Sequence, residues 1–154
     1  ADRRGMQVAV HAIGDGAVRI VLDGYEAAQK ANGRRDSRHR VEHVEVIHPD
    51  DIPRFAELGV IASMQPPHAP GNHGLPLEPY LSNIGEARWQ WAFAWKALRE
   101  AGARLVFGTD WPHVMMEGEM PNTGTLVEQL AVWAPDAGLR QKILVENPAR
   151  LYRF

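Results

Sequence analysis

Apolar positions along the chain fall into two kinds of run. Short runs rich in Val and Ile read as strands. Longer stretches with apolar residues three and four apart read as helices. "GMQVAVHAI" (5–13) is the first short run. Gly14, Asp15 and Gly16 turn the chain. Val18, Val21, Leu22, Tyr25 and Ala28 then recur at helical spacing as far as Asn32-Gly33, a usual helix stop. "HRVEHVEVI" (39–47) predicts a second strand. "HPDDIPRFAELG" (48–59) predicts a short helix, with Pro49 suited to the first position and two aspartates at the positive end of the dipole.

"VIASMQ" (60–65) predicts a third strand. An irregular stretch rich in Pro, Gly, Asn and His follows over 66–85, a length usual for functional or disordered loops. "EARWQWAFAWKALREAG" (86–102) predicts one helix with Trp91, Ala94, Trp95 and Leu98 on a face, and "ARLVFGTD" (103–110) the fourth strand. The remainder reads as helix over 125–133 and 136–146, with Pro148 interrupting before "ARLYRF".

This order of four βα units predicts an α/β fold with parallel strands and helical crossovers. Such folds keep their reactive groups at the carboxyl ends of the strands. That placement singles out His11, His43, Gln65 with His68, and Asp110 with His113.

Bulk properties narrow the class. The 154 residues suit one domain, and 45% hydrophobic with 23% charged residues is ordinary for a globular chain. A formal net charge of -2 gives no reason to expect a nucleic-acid partner. The absence of cysteine excludes disulfides and thiolate metal sites and agrees with a cytoplasmic location. No apolar run approaches the ~18 residues of a membrane span, so no membrane partner is expected. The chain starts at Ala1 without an initiator Met or a visible signal peptide, which reads as a processed or cut piece of something longer.

Each candidate has a plain structural alternative. Asp15 suits a helix N-cap. His43 lies between Glu42 and Glu45, and alternation points Glu42 to the opposite face, where either glutamate can pair with Arg38 or Arg40. Asp110, directly after "LVFGT", is costly to bury without partners. It is either a turn residue or a carboxylate that binds metal and takes a proton from water. Loop histidines such as His68 and His73 are mostly solvated, and His39 and His48 read as surface and helix-start residues. Trp89, Trp91 and Trp95 read as packing. There is no Gly-x-Gly-x-x-Gly and no phosphate-loop lysine. Two histidines and an aspartate on separate strand ends match a divalent ion with N/O ligands: Zn, Mn or Fe.

"HAIGDGAV", "RHRVEHVEVIHPDDIPRFAELGVIASMQPPHA" and "AGARLVFGTDWP" resemble the amidohydrolase superfamily, in its family 3 branch, over about residues 1–112. The resemblance implies a TIM-type barrel that hydrolyses amide, ester or similar bonds with one or two divalent metals, for which zinc is the first expectation here. It implies His11 and His43 as metal ligands of barrel strands five and six. Asp110 becomes the strand-eight metal ligand and catalytic proton acceptor, and Gln65 and His68 line the substrate side.

The family's first-strand His-x-His pair and its bridging lysine are absent, so the chain matches the C-terminal half of a (β/α)8 barrel. The tail over about 104–154 resembles the amidohydrolase-related lactonases of pyrone dicarboxylates, where His113 also gains a substrate role. Two expectations follow. One is a hydrolase of a small molecule with a hydrolysable carbonyl bond. The other is a non-catalytic half barrel that pairs with a missing half or closes as a homodimer.

Overall fold

A computed structural model describes residues 1–71, 76–109 and 122–153. Four parallel strands, β1 (Ala9–Ala12), β2 (Arg40–His43), β3 (Ile61–Met64) and β4 (Arg104–Phe107), lie side by side in chain order. Register pairs His11 with Glu42, Glu42 with Ser63, and Ser63 with Val106. All four strands therefore end on one rim.

Helix α1 (Asp15–Asn32) fits the predicted helix closely, because Val18, Leu22 and Tyr25 fall on one stripe and are buried against the sheet. The Tyr25 hydroxyl donates to the Arg40 carbonyl at 2.7 Å, tying this helix to β2. Gly14 takes the N-cap position. Asp15 is the first helical residue, and its carboxylate accepts from the Gly16 N–H at 2.9 Å, so the expected Asp15 cap is displaced by one residue. Helix α2 (Ile52–Leu58) follows a tight turn over Pro49–Asp51 that His48 caps, as the sequence predicts. It ends at Gly59, whose φ of 68° suits glycine.

Two of the helix boundaries change. The single helix predicted over 86–102 is divided between α4 (Glu86–Trp89) and α5 (Trp95–Glu100), preceded by α3 (Tyr80–Ile84). The cause is a competing demand on the backbone. The Phe93 N–H donates to the Glu45 carbonyl at 2.6 Å and the Ile47 N–H to the Trp91 carbonyl at 3.2 Å. Ala92 therefore forms an isolated antiparallel bridge with Val46, within a turn over Trp91–Phe93. The apolar stripe survives, since Trp91, Ala94, Trp95 and Leu98 still pack on the core.

The second change is at Pro148. Helix α6 (Thr123–Trp133) stands apart, but α7 (Ala137–Gln141) continues through a π turn over Lys142–Glu146 into α8 (Asn147–Tyr152). The wider turn accommodates a proline that has no N–H to give to the preceding turn.

Sheet faces divide as alternation requires. One face carries the main core: Val41, Ala62 and Met64 with Val18, Leu22, Phe55 and Leu98 from the helices. On the other face Ile61 and Val106 meet Leu151 of α8. The Asn147 side chain donates to the Leu105 carbonyl of the outer strand β4 at 2.7 Å.

His39, expected at the surface, is 2% exposed. It stacks on Tyr25, accepts from the Val8 N–H at 3.1 Å and donates to Asp2 at 3.0 Å. Burial lowers its pKa against the pull of Asp2.

Two outcomes are expected. Phe55 is fully buried, so Phe55→Ala should lower unfolding free energy by about 3–5 kcal/mol in chemical denaturation. Asp2 receives hydrogen bonds from Asn32, Arg35, Ser37 and His39, which hold its pKa far below the usual carboxylate range. Its stabilisation is full above an unfolded pKa of about 3.9 and is lost as pH falls through the depressed folded value. Asp2→Asn should thus lower the melting temperature at neutral pH, and the gap from the parent should close in strong acid.

Candidate metal centre

Every sequence-predicted site residue among those described lies at the common rim. His11 is the third residue of β1, His43 the last of β2, and Gln65 the first residue after β3. His68 closes the short turn over Pro66–His68. Asp110, His113 and His73 lie outside the described residues.

His11 Nδ1 and His43 Nε2 are 2.7 Å apart. Strict alternation would not bring them together, because the ladder pairs His11 with Glu42 and sets His43 beside Ala12. The backbone resolves this. His43 has φ 80° and Val44 φ 52°, so β2 ends in two successive left-handed residues. A β-branched residue there is a true outlier. The turn frees His43 from the pleat and lets its ring meet His11.

The cluster extends past the pair. The His43 ring stacks on that of His68, with centroids 5.4 Å apart. His68 Nδ1 lies 3.2 Å from the Glu45 carboxylate. Donor atoms of His43, Glu45 and His68 all fall within 4.8 Å of one another. A carboxylate that accepts from one imidazole nitrogen fixes the ring and leaves the other nitrogen for a ligand. Two or three imidazoles and one carboxylate form a chemically suitable donor set for a divalent ion of the zinc type.

Glu42 pairs with Arg40 at 2.8 Å, one of the pairings foreseen from the sequence. Among the described residues Glu45 does not pair with an arginine. It turns to His68, and the sequence reading missed it as a ligand-type group. Strand alternation was no guide to it, because the left-handed residues at 43 and 44 interrupt the pleat.

Gln65 is buried. Its side chain lies so close to Gly108 that an added Cβ would sit 3.2 Å from Nε2. Beyond it, Tyr80 belongs to the same neighbourhood. Burial first, then the Glu45 charge, push its phenol up to about 12. No sequence feature marked it within the long loop. Asp15 lies near the rim but pairs with Arg88 at 3.5 Å, a structural role. Trp89 donates its indole N–H to the Leu81 carbonyl at 3.0 Å. Gly108→Ala should push the Gln65 amide by a few tenths of an ångström and lower stability modestly, read by chemical denaturation.

The chain is 38% identical over 113 residues to Protein LONG AFTER FAR-RED 3 of Arabidopsis thaliana, covering 73% of this chain and 19% of that protein. It is 47% identical over 60 residues to a 2-pyrone-4,6-dicarbaxylate hydrolase of Comamonas testosteroni, covering 39% of this chain and 20% of that one. The chain therefore spans about a fifth of the length of either relative. A metal-dependent hydrolase from Pyrococcus furiosus superposes with a TM-score of 0.66 at 28% identity, over 98% of this chain and 30% of that one. The model of the amidohydrolase family matches residues 1–141, and the chain belongs to that family.

Proposed function

We propose that this chain supplies the strand-end site of a metal-dependent hydrolase, as the C-terminal four βα units of a (β/α)8 barrel. The observation that carries the reading is the meeting of His11, His43, Glu45 and His68 at one rim of a parallel sheet. His11 and His43 hold a divalent ion, zinc for preference and Mn or Fe as alternatives, with Asp110 as the third ligand. Glu45, two residues past His43, and His68, in the turn after β3, lie beside this set.

Such an ion, when bound, supplies Lewis acidity toward a carbonyl oxygen and makes water more acidic. The chain's own residues do the rest. Asp110 accepts the proton from the attacking water. Glu45 orients the His68 ring. Gln65, His68 and His113 face a small substrate with an amide, ester or lactone carbonyl.

Assembly belongs to the same proposal. A sheet of four neighbouring strands supplies half of the eight a barrel needs. The rest of the barrel comes from a longer chain or, in the second arrangement, from a second copy of this one.

The test is metal content after zinc loading and dialysis. His43→Ala should lose most bound zinc, since it removes the ligand shared by both halves of the cluster. His48→Ala should keep it, since His48 only caps the turn over Pro49–Asp51. Equal zinc in the parent and in His43→Ala would reject the site.

A further inference from the structure

Tyr80 opens α3, on the far side of the loop that follows β3. Its hydroxyl is buried and finds no hydrogen-bond partner among the described residues. A buried phenol normally finds an acceptor, because leaving one unsatisfied costs about 1–3 kcal/mol. The surroundings explain where an acceptor would come from. The Tyr80 ring lies 6.1 Å from that of Phe93. Phe93 is itself fixed to the site, because its N–H donates to the Glu45 carbonyl at 2.6 Å. Phe93 has φ 49°, a strained backbone held by that bond and by the edge-on packing of its ring on Trp95. The aromatic pair is thereby held beside Glu45 and, through it, beside His68.

We infer that Tyr80 is a catalytic residue beside this rim, its hydroxyl donating a hydrogen bond to the oxygen of an attacked carbonyl. The inference rests on the metal-hydrolase reading of the same site. A neutral phenol held beside the Phe93 ring suits that task, since a fixed donor shielded from water is worth more than one in water. Burial and the Glu45 charge keep the phenol protonated throughout the physiological range. An anionic substrate oxygen supplies the missing acceptor.

The test uses the zinc-loaded chain and methylphosphonate, a small tetrahedral anion. Tyr80→Phe removes one oxygen and keeps the ring against Phe93. It should retain the parent's zinc content and bind methylphosphonate about 10- to 100-fold more weakly, in proportion to the loss of one oxyanion donor. A second reading needs no substitution. The chain has three tyrosines. With carbon-13 at the phenol carbon, the Tyr80 signal, identified by its contacts to Phe93, should move on methylphosphonate addition.

Equal affinity in Tyr80→Phe, or a Tyr80 signal that stays fixed while methylphosphonate binds, would overturn this inference and leave the metal reading intact. A parent chain that takes up no zinc would overturn both. If the variant fails to fold, the signal shift in the unsubstituted chain decides.

Discussion

The site depends on where β2 stops. His43 and Val44 both adopt left-handed backbone, and two such residues cost about 1–3 kcal/mol each. The cost is borne because the neighbours hold the turn from both sides. The Val44 side chain is fully buried in the core, which contributes about 1.5–3 kcal/mol. Its N–H donates to the Ala12 carbonyl at 3.0 Å, and the Val46 N–H to the Ile13 carbonyl at 2.9 Å. The ladder to β1 therefore resumes beyond the turn. A core residue and two backbone bonds pin a conformation that delivers one imidazole to another.

From that turn the rest of the rim follows. Residues 45–47 leave it as extended chain and take Trp91–Phe93 as an antiparallel neighbour, which ends α4 and delays α5. Glu45, two residues past His43, reaches His68. Phe93 brings Tyr80. The loop after β3 is thus connected to β2 by backbone bonds, so the groups beside the candidate metal centre come from scaffold as well as loop.

Much of this was legible in the sequence, for identifiable reasons. The four strands and α1 are strongly patterned, and parallel order follows from the alternation of strand and helix. His11 was readable as a strand-end group because an apolar run terminates on it, whereas His43 stood inside its run, close to the end. The division of the helix predicted over 86–102 was not readable, because its apolar stripe suits a helix and only tertiary bonds to 45–47 forbid one. His39 looked like a polar loop residue, and it is buried only because Asp2 and Tyr25, distant in sequence, converge on it. The left-handed turn carried no glycine to announce it. At the C-terminal end, Pro148 suggested a break, yet a π turn carries the helix through and sets Asn147 on the Leu105 carbonyl of β4. That contact bears on the expected homodimer, because a partner strand at β4 would have to displace it.

The most direct measurement is anomalous scattering at the zinc edge from crystals of the zinc-loaded chain. The account predicts a peak at the strand-end rim within ~2.1 Å of a His43 ring nitrogen. It further predicts donor atoms of His11, Glu45 or His68 around that peak. Zinc bound at a site that excludes His43 would contradict it.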